Sequence, residues 1–371
     1  MKLKVAVDSL SLLSPLTGIG RYCYEISKEL KKSDLDTTFY YGYFSKNLIE
    51  PADKKSVKSL KSAVASSPWL KKSAREMLFF FTKFSNRHFD IYWQPNFIPN
   101  PNIKAKKVVT TVHDFSFFLH KEFIPKERIK YFEKYFLKNI NLSDAIITGS
   151  NFTKQEILER LNFKSEDVHV IYHGVDHSVF KLYSNPKTDF KLPKKFILSV
   201  GSIEPRKNLL GLLKAYLSLD NSIKKKYKLV LAGFKGWENS EIVSIIKQNS
   251  QDIFYLGYLS NEELAKVYNL SSCFVFPSFY EGFGLPILEA MACGAPVICS
   301  NSSSMPEVGG DAALYCNPKD IDDIAKKIEA VLSSAKLQQE MAEKGLNRAK
   351  KFSWEKSAHK HIQIFNKVIK S

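Results

Sequence analysis

Short apolar runs alternate with longer amphipathic stretches along this chain, and after a lysine-rich break the alternation starts again. The runs of the first half are Leu3–Val7, Asp90–Trp93, Lys107–Val112, Ala145–Thr148 and Val168–Tyr172. Those of the second are Phe196–Val200, Leu229–Ala232, Ile253–Leu256, Phe274–Phe276, Ala295–Cys299 and Ala313–Tyr315. Helices are expected near 21–30, 208–218, 261–268, 286–292 and 320–333, and Ser150 stands where it can cap another. Short apolar strands alternating with helices predict parallel α/β layering. The break, Lys181–Lys195, places Pro186 and Pro193 among lysines and reads as a linker. The expected organisation is two Rossmann-like α/β domains facing a central cleft, over residues 1–185 and 186–352. A last amphipathic helix is expected over 353–371.

Composition narrows the class. A chain of 371 residues fits two domains at roughly 100–200 residues each. With 44% hydrophobic residues it is not a disordered chain. No apolar run approaches the ~20 residues of a membrane span; Met77–Phe81 soon meets Lys83. The N-terminal run reaches Asp8 before a signal-peptide core can form, so it reads as a strand. A cytoplasmic protein, soluble or at a membrane surface, is expected. The five cysteines (Cys23, Cys273, Cys293, Cys299, Cys316) are odd in number and form no CxxC pair, which predicts neither disulfides nor zinc.

The net charge of +17 suits nucleic acid, an anionic membrane or a phosphorylated substrate, and alone does not choose. Residues 53–75 hold seven basic residues and one acidic, with Trp69 inside. That mixture suits an anionic membrane surface; a solvated face on a lysine-rich chain would read the same way. Nucleic-acid binding rests on charge only, since no RNP1-like string or zinc-finger spacing occurs.

Four clusters carry possible chemistry. Thr17-Gly18-Ile19-Gly20-Arg21 follows the first strand as a glycine turn before a helix, a place where backbone can approach an anion closely. It lacks the third glycine of a dinucleotide fingerprint. Glu204-Pro205-Arg206-Lys207-Asn208 follows a strand and precedes a helix, where adjacent cations can neutralise a diphosphate. Open α/β sheets bind ligands at such strand ends. In Tyr280-Glu281-Gly282-Phe283-Gly284-Leu285-Pro286-Ile287-Leu288-Glu289, a glycine loop becomes a helix near Pro286. Its two carboxylates are acceptors suited to sugar hydroxyls. His113, followed by Asp114, ends the strand that starts near Val108; a single histidine there is more often structural than catalytic.

Taken together, GIGRY, SNFTKQEI, HGVDHSVF, VGSIEPRKN and PSFYEGFGLPILEAMACGAPVICSNSSSMPEVGGDAAL resemble retaining glycosyltransferases of family 4, which have the GT-B fold. The likeness covers nearly the whole chain in order, and it implies that the helix over 353–371 crosses back onto the first domain. EPRKN followed by SNSSSMPEV is similar to the bacterial mannosyltransferases of O-antigen synthesis.

The resemblance implies that Arg206 and Lys207 bind the donor diphosphate and stabilise the leaving nucleotide. It implies that Glu289 accepts from ribose hydroxyls and that Glu281 sits beside the transferred sugar. Backbone amides of Gly282, Phe283, Gly284 and Leu285 would hold sugar hydroxyls and phosphates. His113 would contact the sugar near its anomeric carbon, and Gly18 and Gly20 would let the first loop approach diphosphate and acceptor. Some relatives carry a further arginine where this chain has Ser202, so neutralisation here rests on Arg206 and Lys207.

A leaving nucleoside diphosphate needs cations placed in advance. Asp320-Ile321-Asp322 fits the DxD string of metal-dependent transferases, but at a helix start it reads as a cap. No metal and no cofactor are expected beyond the nucleotide-sugar donor, taken as GDP-mannose, with a UDP-sugar as the alternative. The expected acceptor is a lipid-linked glycan at the cytoplasmic face of the inner membrane, with residues 53–75 at the lipid surface. A GT-B epimerase or phosphorylase is the rival within the fold.

Overall fold

The computed structural model describes residues 2–13, 18–50, 82–83, 85–124, 126–234 and 240–371. The basic stretch 53–75 lies outside them. The chain divides into two compact units. The first comprises residues 1–114, 126–173 and 354–371, and the second 115–125 and 174–353.

In the first unit the strands are β1 (Lys4–Asp8), β2 (Asp36–Tyr40), β3 (Phe44–Ser45), β4 (Phe89–Gln94), β5 (Ala105–Thr111), β6 (Ala145–Thr148) and β7 (Val168–Val170). They form one sheet in the order β3-β2-β1-β4-β5-β6-β7, parallel except for the β2–β3 pair. The sequence reading missed β2 and β3. β2 starts Asp-Thr-Thr and offers no apolar run, yet Thr37 and Thr38 are buried with Phe39 and Tyr40.

Helix Gly18–Lys32 begins three residues before the expected Arg21, so Gly18 and Gly20 lie in its first turn and not in a turn preceding it. The buried face of Ser27, Cys23 and Gly20 explains the extension, because it continues the helical period back into the glycines. Ser150 caps helix Asn151–Arg160 as expected, its Oγ accepting from Thr153 N at 3.1 Å.

The C-terminal helix Trp354–Val368 packs into this unit against helix Gly18–Lys32. A directed hydrogen-bond chain runs between them. Ser357 O can only accept, so His361 Nδ1 donates to it (2.8 Å) and Nε2 is left to accept from the Tyr22 hydroxyl (2.7 Å). Tyr22 then accepts from Thr111 Oγ1 (3.0 Å), which accepts from Trp93 Nε1 (3.1 Å). Tyr22, Trp93 and His361 are almost fully buried, and a polar chain satisfied at every link is what such burial requires.

The second unit holds β8 (Phe196–Val200), β9 (Lys228–Ala232), β10 (Ile253–Tyr255), β11 (Cys273–Phe276), β12 (Val297–Ser300) and β13 (Ala313–Cys316). They form a parallel sheet ordered β10-β9-β8-β11-β12-β13. β11 and β12 are buried at every position, because helices cover both faces. Leu212, Leu213 and Tyr216 of helix Leu209–Ser218 share one core with Ile197, Leu229, Leu231 and Val275. Residues 174–195 pack with this unit. Val175 pairs with Ser353, Tyr183 N donates to Asn269 Oδ1 (2.9 Å), and Asn269 Nδ2 donates to Lys181 O (2.8 Å). All five cysteines are buried and unbridged.

Candidate active site

In the second sheet the strand order reverses between β8 and β11, the place where an open α/β sheet leaves a crevice beyond its carboxyl ends. Two segments leave the sheet there. After β8 the chain reaches Glu204, makes a single 3-10 turn over Pro205–Lys207, and enters helix Leu209–Ser218 through Asn208. Asn208 adopts the left-handed conformation (φ 54°), which asparagine tolerates. Its buried Nδ2 donates to Pro277 O (3.1 Å) and Pro318 O (2.6 Å), fixing the turn that carries Arg206 and Lys207. After β11 a loop runs to Gly284 (φ 111°), which opens helix Leu285–Ala292 with Pro286 in its first turn.

These segments meet at the Glu281 carboxylate. Oε2 accepts from Arg206 Nη1 (2.9 Å) and Oε1 from Lys207 Nζ (2.6 Å). Arg206 Nη1 also donates to Tyr280 O (2.7 Å), and its Nη2 donates to Glu204 Oε1 (3.2 Å). That same Glu204 oxygen accepts from Ser202 Oγ (3.0 Å). Lys207 Nζ lies 5.0 Å from the centre of the Phe276 ring. Arg206 N–H groups therefore point at a carboxylate on either side.

Burial alone would raise the Glu281 pKa, but the Arg206 and Lys207 charges outweigh it and hold the carboxyl at about 2. The group is an ionised acceptor at any working pH, set between two cations that can face a second anion. Glu289 is buried in the helix that follows, and its Oε2 accepts from the Tyr268 hydroxyl at 3.4 Å. Asp320 caps helix Ile321–Ser333, its Oδ1 accepting from Asp322 N and Asp323 N at 3.0 Å.

Arg206, Lys207 and Glu281 are thus brought into direct contact, with Gly282–Leu285 in the same loop and Glu289 on the helix it opens. His113, Gly18 and Gly20 belong to the first unit. His113 follows β5, buried, with Nε2 donating to Pro95 O at 2.7 Å. Burial lowers its pKa, so the ring is neutral with Nδ1 as the acceptor nitrogen. Its ring meets Tyr22 and Phe97 edge to face, at 5.0 and 5.4 Å.

Sequence reasoning missed Glu204 as a partner of Arg206, although both stand in one string. It also missed the serines after β12: Ser303 Oγ accepts from Glu281 N (3.0 Å) and Ser304 Oγ donates to Glu281 O (2.8 Å).

Residues 16–179 match the family model Glycosyltransferase Family 4, and residues 182–348 match Glycosyl transferases group 1. Over nearly its full length, this chain is similar in fold to several solved structures. They include sucrose-phosphate synthase from Thermosynechococcus elongatus (TM-score 0.71, 18% identity, 99% of each chain). Another is Anabaena HepE in complex with UDP-glucose (TM-score 0.70, 13% identity, 98% of this chain and 100% of that one). Fold and family models together make this chain a glycosyltransferase of the GT-B fold.

In sequence it is 33% identical to O-antigen chain mannosyltransferase B of Escherichia coli, over 98% of this chain and 99% of that protein. It is 34% identical to the serotype-specific mannosyltransferase WbdA of Escherichia coli over 74% of its length, but covers only 35% of that larger protein. The chain belongs to glycosyltransferase family 4.

Proposed function

We propose that this protein transfers mannose from GDP-mannose onto a glycan acceptor in the synthesis of a bacterial surface polysaccharide, with retention of anomeric configuration and without a metal. The observation that carries the reading is the Arg206–Glu281–Lys207 cluster at the carboxyl ends of β8 and β11. The choice of mannose follows its full-length likeness to an O-antigen mannosyltransferase.

In this reading the bond from the anomeric carbon to the diphosphate oxygen breaks as the acceptor hydroxyl oxygen bonds to that carbon from the same face. The acceptor proton passes to the departing phosphate. Arg206 and Lys207 stabilise the negative charge that grows there, the task a metal performs elsewhere. Glu281 accepts from hydroxyls of the transferred sugar and Glu289 from the ribose. The backbone over Gly282–Leu285 lines the donor, and His113, Gly18 and Gly20 keep the sugar and acceptor roles given above.

A lipid-linked acceptor and a site of action on the cytoplasmic membrane face are part of the proposal. No helix among the described residues is long and apolar enough to cross a membrane. Helix Lys126–Ile140 supports surface attachment: Lys126, Lys130, Lys134 and Lys138 recur every fourth residue on its exposed side, with Leu137 47% exposed beside them.

The test is a thermal-shift panel with GDP, UDP, ADP and CDP, each with and without EDTA, followed by transfer assays with the matching mannose donor. A ligand at about 100 times its Kd stabilises the native state by roughly 2.7 kcal/mol. Selective stabilisation by GDP and EDTA-resistant transfer of mannose are expected. Selective stabilisation by UDP replaces the donor, and loss of transfer in EDTA reinstates a metal.

A further inference from the structure

The loop after β12 is a run of polar side chains, Ser300-Asn301-Ser302-Ser303-Ser304. β12 lies beside β11 in parallel register, so the loops at their carboxyl ends run side by side. Three of the serines bond the backbone of the neighbouring loop in succession. Ser302 Oγ donates to Phe279 O (2.9 Å) and Ser303 Oγ accepts from Glu281 N (3.0 Å). Ser304 Oγ donates to Glu281 O and to Phe283 O (2.8 and 2.9 Å). Ser302 is steadied in turn by Ser300, with Oγ to Oγ at 2.7 Å.

Glu281 is therefore held from both directions. Arg206 and Lys207 fix its carboxylate, while Ser303 and Ser304 fix its N–H and C=O. The Ser303 bond comes at a conformational cost. Its φ of 53° lies in the left-handed region, which a residue with a β-carbon enters only where its surroundings demand it. Glycine would adopt the same turn without strain, but glycine has no side-chain oxygen to offer the Glu281 N–H. Ser304, by contrast, is fully buried and serves two carbonyls, so its loss would disturb folding as well as the loop.

From this juxtaposition we infer that Ser303 is a positioning residue for the transfer reaction: it sets the backbone at Glu281 so that the carboxylate is presented to the donor sugar. The inference rests on the function proposed above. Carboxylate geometry matters because a misplacement of about 1 Å can cost on the order of a hundredfold in rate.

The experiment uses Ser303→Gly and Ser303→Ala in the full chain. Glycine relieves the backbone strain and removes the oxygen; alanine keeps the strain and removes the oxygen. Amide hydrogen exchange over residues 279–284 is measured alongside kcat, KM and melting temperature, with the donor that the wild type uses.

Positioning predicts faster exchange at Glu281 in both variants and a kcat lowered roughly tenfold or more at unchanged donor KM. It also predicts that Ser303→Gly melts at or near the wild-type temperature. A wild-type kcat in Ser303→Gly overturns the inference, since the serine would then be a tether without catalytic consequence. Unchanged exchange overturns it as well. A wild type that transfers from no donor overturns the proposed function, while the exchange measurement still decides whether Ser303 holds Glu281.

Discussion

A β-carbon on Gly233 would lie 1.9 Å from the carbonyl oxygen of Gly201. The two glycines end neighbouring strands, since Val200 of β8 is paired with Ala232 of β9 and Gly201 N donates to Ala232 O (2.9 Å). That contact sits at the root of the segment leading to Arg206 and Lys207. Gly233 also has φ 144°, closed to other residues. Gly233→Ala is expected to lower unfolding free energy by more than about 2 kcal/mol and to weaken nucleotide binding. Gly257→Ala is the control, with φ 71° but nothing within 4 Å of its added carbon. It should cost about 1 kcal/mol and spare binding. Equal losses in urea titrations would reduce the Gly233 effect to backbone conformation.

Lys207→Ala removes one of the two cations on Glu281 and should weaken both nucleoside diphosphate binding and turnover, each by about tenfold or more. Glu281→Ala should abolish transfer and leave diphosphate binding largely intact, because the cations remain. Calorimetric titration with GDP beside a transfer assay separates them. Full activity in the lysine variant would remove that residue from the site, and lost binding in the glutamate variant would change its role.

Acid titrates this cluster in a defined window. The Glu281 carboxyl, ordinarily near 4.5, is held at about 2. Its ionised form thus adds stability that is complete above pH 4.5 and is lost as the pH falls toward 2. The contribution at neutral pH is on the order of 3 kcal/mol. Unfolding titrations of wild type and Glu281→Gln should show a gap at pH 6 that narrows by pH 3. A gap independent of pH would mean that the pairing does not depress this carboxyl.

A second window lies higher. Burial brings the His361 imidazole from 6.5 down to about 4, against the opposing effect of its bond to Ser357 O. A folded state that keeps this ring neutral has its full stability above pH 6.5 and loses it as the pH falls toward 4. Replacing His361 with Gln should flatten stability over that range while leaving the Glu281 window in place. Retention of the slope in the variant would assign it to another buried histidine, His113 or His173.

The second sheet was the most legible part of the chain. Phe196–Val200 stands as a strand with the bounds its apolar run predicted, because parallel strands covered on both faces are written as unbroken apolar runs. The cations after β8 and the glutamates around the glycine loop were legible for a related reason: each adjoins a strand end recognisable in sequence. The contact of Glu281 with Ser303 was not. It joins residues 22 positions apart through the adjacency of β11 and β12, and no local pattern reports which strands are neighbours. The Tyr22–His361 bond, 339 positions apart, was hidden more deeply. Its sequence trace is one histidine in an amphipathic helix, which looks like any half-buried polar residue.

That bond has a bearing on the order in which the protein can be completed. Synthesis runs from residue 1 onward, and the chain leaves the first unit at His173, builds most of the second, and returns only at Trp354. Tyr22 and Trp93 are made before the second unit, and His361 and Phe365, which cover them, are made after it, in helix Trp354–Val368. The first unit is thus completed only after the second, and a chain cut after residue 173 would keep the first sheet while leaving its largest buried aromatic side chains without their cover.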